Sequence, residues 1–274
     1  MQATGNENLG ASRQRLTIRA SQKTLSFSSV VLTNAEQPIA YEPYPMRSDI
    51  SIAANMREAL RTASLPLQGY TAAQVMVESP VLMIPFDVFD EEDCNELYKH
   101  TFADSGQRKI LHNVLPNTNS VALFPINKDL KMVIDDHFND VIYIAALSPV
   151  WNYLYRRSFT GVRNKLYAYF HDGKVDIFSY QQNRFRYTNQ FNALRPYDAI
   201  YFMLYVWKLL GMRQSHDELH LVGDIPEKEV LVEEMRKYVH RVYVINPAGD
   251  FNRAAATKIE GMPYDLMTLY TKGR

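Results

Sequence analysis

The densest grouping of metal- and proton-binding side chains in the sequence is His216, Asp217, Glu218, His220 and Asp224. Histidines four apart converge on one face of a helix, where a carboxylate beside them completes a zinc site. Here Leu219, Leu221 and Val222 make residues 218–222 a strand, which puts His220 in the strand and His216 in the loop before it, so the spacing loses its ligand geometry. A second group, Asp135, Asp136, His137 and Asp140, sits at a helix end. Proton transfer would need these side chains in a dry pocket with displaced pKa values, and a solvated helix terminus is the simpler expectation. Glu91, Glu92 and Asp93 open another helix, where negative charge meets unpaired amides. The single cysteine, Cys94, follows them; their charge disfavours a thiolate, and a lone cysteine excludes an internal disulfide and a thiolate-based structural zinc site.

A basic aromatic segment, Tyr153, Tyr155, Arg156, Arg157, Phe159, Arg163 and Lys165, is joined by Arg184, Arg186 and Tyr187 in a later strand. Aromatic faces interleaved with Arg and Lys can stack bases and neutralise phosphates. Lys plus Arg and Asp plus Glu number 30 each, however, so the molecule offers no overall positive field to nucleic acid or an anionic membrane. No RNP-like or KH-like motif occurs, nor any Walker loop, dinucleotide fingerprint, serine-hydrolase elbow or HExxH motif. Tyr155, Arg156, Arg157, Arg184 and Arg186 are therefore expected to form a surface for the other half of the chain or for a protein partner. An RNA-associated protein is one alternative.

The elements that must carry these residues follow from periodicity. Leu16 to Ala20, Leu25 to Ser29 and Pro38 to Met46 are three short strands joined by short turns, an antiparallel meander. A helix capped by Ser48 or Asp49 runs to Leu60. Strands at Ala72 to Val77 and Val81 to Phe86, a helix from Asp90, a hairpin spanning Lys109 to Ile126, a helix capped by Asn127, a strand at Val141 to Ala145 and a helix opening at Ser148-Pro149 complete the first half. After Gly161 the order starts again. Lys165 to Phe170, Lys174 to Tyr180 and Arg184 to Asn189 are strands joined by turns at Asp172-Gly173 and Gln182-Asn183. The helix Pro196 to Leu210 is apolar on nearly every side, which predicts burial against more than one layer. A strand at Glu218 to Val222, a helix at Pro226 to Tyr238 and a strand at Arg241 to Ile245 follow.

The hairpin Leu16 to Val31, the meander Lys165 to Tyr187 and the segment Glu218 to Asp224 together resemble the superfamily of actin, the Hsp70 chaperones and the sugar kinases. In that superfamily two ribonuclease H-like domains face each other across a nucleotide cleft. More narrowly, the chain resembles a Bacteroidetes family of unknown function with an actin-like fold. The resemblance implies ATP with magnesium, held by an acidic residue and glycine in the first hairpin turn of each half and by paired glycines after an apolar strand. The first turn here is Ala20, Ser21, Gln22, Lys23 and Thr24, with neither glycine nor carboxylate; Lys23 alone could meet a phosphate. The second is Phe170, His171, Asp172, Gly173 and Lys174, in the order a plain hairpin demands. Of the paired glycines only Gly223 is kept, followed by Asp224, whose charge would repel a triphosphate unless a cation lay between.

The expectation is an α/β protein of mixed sheets with three-strand antiparallel meanders: duplicated ribonuclease H-like domains in an actin-like ATPase fold. Residues 1–14 are a disordered tail, 15–160 a first domain with insertions and 161–274 a second. The expected role is non-catalytic, a cytoplasmic binding or scaffolding component without cofactor, its working site either the cleft between the halves or an aromatic surface. An ATP-binding phosphotransferase or ATPase using Lys23, Asp172, Gly173, Gly223 and Asp224 is the other alternative. No apolar run reaches the roughly 18 residues of a membrane helix.

Overall fold

The computed structural model describes residues 14–31, 37–102, 106–159, 161–182 and 184–271. The expected tail lies outside the described residues except for Gln14, as does Asn183 of the second expected turn. The chain divides into two compact units, one comprising Met1–Leu82, Phe89–Asn113 and Ala122–Leu147, the other Met83–Val88, Val114–Val121 and Ser148–Arg274.

In the first unit β1 (Arg15–Ala20), β2 (Leu25–Val30) and β3 (Ile39–Tyr44) form the antiparallel meander. Helix α1 (Ile52–Thr62) then leads to β4 (Ala72–Val77), which pairs parallel with β1. Further along come β5 (Leu82–Pro85), most of which belongs to the second unit, α2 (Cys94–Thr101), β6 (Arg108–Leu115) and β7 (Ser120–Asn127), whose adjoining ends also belong to it, α3 (Lys128–His137) and β8 (Asp140–Ala145). The strand order is β3-β2-β1-β4-β8, and β5-β7-β6 make a separate small sheet. Leu16, Ile18, Leu25 and Phe27 alternate onto one face, where Met56 and Ala59 of α1 and Leu130 and Ile134 of α3 cover them. The edge of β8 is occupied by a side chain: Asn113 Oδ1 accepts from Ala145 N and its Nδ2 donates to Tyr143 O, both at 2.9 Å. An amide side chain thus takes the place of a further strand and blunts the edge.

The cap of α1 is Ser51, whose hydroxyl accepts from Ala54 N, and not Ser48 or Asp49 as expected. Asp49 is turned to Arg47, 2.7 Å away. The fully buried Asn55 accepts from Arg47 N and donates to Arg47 O, at 2.8 and 2.9 Å, folding residues 47–51 back so that the helix begins later. Asn127 caps α3 as the sequence indicates, accepting from Leu130 N at 2.9 Å.

The second unit repeats the topology. It contains α4 (Ser148–Ser158), the meander β9 (Lys165–His171), β10 (Lys174–Gln181) and β11 (Arg184–Asn192), helix α5 (Pro196–Leu209), β12 (Glu218–Gly223), α6 (Lys228–Arg236), β13 (Val242–Val244), and the short α7 (Pro247–Asp250) and α8 (Tyr264–Thr271). Its order is β11-β10-β9-β12-β13, with β12 parallel to both neighbours. This is the order of the first unit strand for strand, three meandering strands followed by two parallel ones. Gly161, the sequence's restart point, falls inside this unit after α4, which packs on α8.

One face of this sheet is apolar, Leu166, Ala168, Phe170, Val175, Ile177 and Leu221, covered by α5 and α6. The opposite face carries Tyr167, Tyr169, His171, Asp176, Phe178 and His220, all buried. Helix α5 departs from expectation. Ala199, Met203 and Val206 are buried, but Tyr197, Tyr201, Tyr205 and Leu209 stand on the solvent side. The helix covers one layer and presents a ridge to water made by the tyrosines that lie between its apolar residues, whose hydroxyl ends tolerate solvent, and by Leu209. Among the described residues no helix is long and apolar enough to cross a membrane.

Candidate functional site

The three segments that would have to hold a nucleotide are short turns, and their backbone amides decide what they can do. In the first unit Ala20 pairs with Leu25, leaving residues 21–24 as the loop. Ser21 organises it. Its hydroxyl accepts from Lys23 N at 3.1 Å and Thr24 N at 2.9 Å and meets Thr24 Oγ1 at 2.8 Å, while its own amide donates to Thr24 O. Arg19, 3 % exposed, donates to Thr24 Oγ1 from below. The amides of Lys23 and Thr24, which a phosphate would have to recruit, are already donated to a side chain of the same turn. Lys23 itself is exposed.

In the second unit the corresponding turn is a two-residue hairpin, with His171 paired to Lys174. Asp172 and Gly173 both have positive φ, 48° and 75°, the primed turn that an Asp-Gly pair favours. Ala193 N donates to Gly173 O at 3.0 Å, and Leu194 Cδ2 lies 2.6 Å from where a Cβ on Gly173 would be. The Asp172 carboxylate is turned inward, 3.1 Å from His171 Nδ1, and not toward solvent where a magnesium ion would be met.

Gly223 ends β12 with φ +95°, and the backbone of β9 passes directly over it. A Cβ here would sit 2.1 Å from Phe170 O and 3.0 Å from a Tyr169 ring carbon, while the next amide, Asp224 N, donates to that same Phe170 O at 2.9 Å. The left-handed backbone and the close approach of Phe170 together account for this glycine. Asp224 is exposed.

Sequence reasoning passed over the polar group beneath the Asp172-Gly173 turn. His171 Nε2 lies 2.5 Å from Asp176 Oδ2, which also accepts from Gln190 Nε2 at 3.2 Å, and the imidazole stacks on Tyr169 with centroids 4.7 Å apart. His171 and Asp176 are 5 % and 2 % exposed. Each ring nitrogen faces a carboxylate, and the protonated ring is the one form that donates at both. The signal was present in the alternation: His171 and Asp176 fall on the same side as Tyr167, Tyr169 and Phe178, a side the periodicity could not show to be buried.

The group around His216 forms two separate structural ties. Asp217 accepts from Arg213 N at 2.7 Å, Asn164 Nδ2 at 3.2 Å and His216 Nδ1 at 3.0 Å. Burial opposes its charge, but these donors outweigh burial and hold its pKa below the ordinary carboxylate value. Glu218 pairs with His220 at 3.0 Å and with Arg163 at 3.4 Å. No cluster of three or more potential ligands that could hold a metal ion occurs among the described residues. Asp135 is occupied by Tyr143, at 2.7 Å, and by Lys131, and Asp140 by Arg15.

His220 lies between Tyr167 and Tyr243, stacked on the second and tilted against the first, and burial lowers its pKa against the pull of Glu218. A depressed histidine pKa means that the unfolded chain takes up the proton first. The stability due to this residue is therefore complete above about pH 6.5 and is lost as pH falls through the lower folded value. Glu218 is also depressed, from an ordinary value of 4.5, and so acts only at more acid pH. Urea midpoints measured between about pH 7 and about pH 5.5 are expected to fall more steeply for the wild type than for His220→Gln. Parallel slopes would remove His220 from the account.

The basic aromatic residues do not make one open surface. Arg157 binds Asp250, which also accepts from Tyr153 Oη at 2.5 Å. Arg186 donates to Leu210 O, and Arg184 lies 3.7 Å from Asp87. The Tyr155 ring packs edge-on against Tyr180, 5.4 Å away, and Phe159. Arg156 is exposed. Asp250, the residue that neutralises Arg157, is far away in sequence and could not have been paired with it from the sequence.

Two units of the same strand order, each a three-strand meander extended by two parallel strands, define the class: this is an actin-like ATPase fold. A crystal structure from Bacteroides thetaiotaomicron, of a protein with actin-like ATPase fold and unknown function, superimposes with a TM-score of 0.80 at 26% sequence identity, covering 94% of this chain and 100% of that one. The PilM-PilN type IV pilus biogenesis complex is similar in fold, with a TM-score of 0.54 at 10% identity over 96% of this chain and 100% of that one. Residues 5–242 match the DUF3822 family, proteins of unknown function, and the chain belongs to that family. Among curated proteins none matches.

Proposed function

We propose that this protein is a binding or scaffolding component that keeps the actin-like architecture without its nucleotide chemistry, and that it works without a cofactor, in the cytoplasm. The observation that carries this reading is the state of the turn amides. Lys23 N and Thr24 N are donated to Ser21, and Asp224 N is donated to Phe170 O. A triphosphate would have to displace each of these bonds. Each such bond contributes on the order of 0.5–1.5 kcal/mol, which a triphosphate would have to offset. Partner binding as the alternative use of the scaffold is supported by the PilM-PilN complex, a protein assembly with the same fold. Nucleic acid is disfavoured because Arg157 and Arg186 are committed to Asp250 and to Leu210 O, and because the net formal charge is zero.

Calorimetric titration with ATP and magnesium tests the reading. No heat of binding is expected with ligand at about 1 mM, where a micromolar site would be saturated. Micromolar binding that disappears in Lys23→Ala would overturn it.

A further inference from the structure

Helix α5 exposes a straight ridge. Tyr197, Tyr201, Tyr205 and Leu209 recur every fourth residue and are 63, 64, 52 and 58 % exposed, with Leu194 at 69 % just before the helix. Large side chains at this spacing form the ridge by which one helix packs into the groove of another. The opposite side of the same helix is anchored by Ala199, Met203 and Val206 in the core, so the ridge is held on a rigid element.

We propose that this ridge is the contact between two copies of the chain, with the two α5 helices packed antiparallel about a twofold axis. Three observations select a second copy. The first is area. At roughly 200 Å² per full side chain, the exposed parts of these five residues amount to on the order of 600 Å². With the flanking polar side chains this approaches the about 800 Å² per partner that a stable interface buries. The second is charge placement. Asp198 lies at the N-terminal end of the ridge and Lys208 at its C-terminal end, both exposed. Antiparallel packing brings the acidic end of one helix to the basic end of the other, whereas parallel packing would set like charges together. The third is the balance of 30 basic and 30 acidic residues, which leaves two copies without net repulsion. The inference rests on α5 alone and stands or falls independently of the nucleotide reading.

Sedimentation velocity of the full chain tests it. The wild type is expected to sediment as a dimer of 31.7 kDa chains at concentrations on the order of 50 µM and to dissociate on dilution. Tyr201→Glu, at a solvent-facing position, is expected to weaken the dimer at least about 30-fold. Asp198→Lys and Lys208→Asp are each expected to weaken it about 5-fold, and together to restore it, because the pairing is then reversed and not abolished. A chain that stays monomeric at that concentration, leaving the ridge to some other partner, would contradict the proposal. So would a dimer indifferent to Tyr201→Glu, or a charge-reversed pair weaker than either single variant.

Discussion

Gly223→Ala is expected to destabilise the protein by roughly 3–5 kcal/mol, lowering the melting temperature by about 10 °C, with no ligand involved. Two effects add. A side chain at φ +95° costs about 1–2 kcal/mol through the left-handed backbone alone. The new Cβ would also lie 2.1 Å from Phe170 O, an atom of the backbone that cannot rotate away, so β12 and β9 would have to part at the end where they pair. Gly211→Ala separates the two effects. Gly211 also has positive φ, +59°, but nothing lies within 4 Å of its added Cβ. Only the backbone cost, about 1 kcal/mol, is expected there. Equal losses at the two positions would show that the close approach of Phe170 is not what requires Gly223.

The second large effect is expected at Asp176. Its carboxylate is 2 % exposed and joins three strands, accepting from His171 of β9 and Gln190 of β11 while itself carried on β10. Asp176→Ala removes the partner of a buried imidazole nitrogen and of a buried amide together, a change that costs about 3–5 kcal/mol when a buried pair is broken. Asp176→Asn keeps one acceptor oxygen and is expected to cost less, about 1–2 kcal/mol. Urea unfolding followed by tyrosine fluorescence reads both. A loss under about 1 kcal/mol in Asp176→Ala would mean that the group beneath the turn is not structurally coupled.

These expectations show where the sequence was legible and where it was not. The meanders were readable because Leu16, Ile18, Leu25 and Phe27 alternate strictly and because Asp172-Gly173 is a turn whose chemistry is local. Duplication was readable from element order, though the two units share no evident residue pattern. The absence of glycine and carboxylate between Ala20 and Leu25 is likewise a fact of the sequence. What fills the turns is not. That Ser21 takes the amides of Lys23 and Thr24, or that Phe170 O lies over Gly223, depends on backbone geometry that residue types underdetermine. The departure at helix α5 has a different cause. Ala199, Ile200, Met203, Val206 and Trp207, read as apolar, are buried, but Leu209 stands in water, and Tyr197, Tyr201 and Tyr205, which that count left out, fill the solvent side. The partner of Arg157 was hidden for a third reason: Asp250 neutralises it across a separation of 93 residues, and no local pattern reports that pairing.

We propose that the fold itself consumes the amides a nucleotide would need. Amide hydrogen exchange over residues 20–25, 170–175 and 222–225, measured with and without millimolar ATP and magnesium, tests it most directly. Lys23, Thr24 and Asp224 are expected to be protected in the free protein and unchanged by nucleotide. Amides that exchange rapidly in the free protein and become protected when ATP and magnesium are added would contradict it.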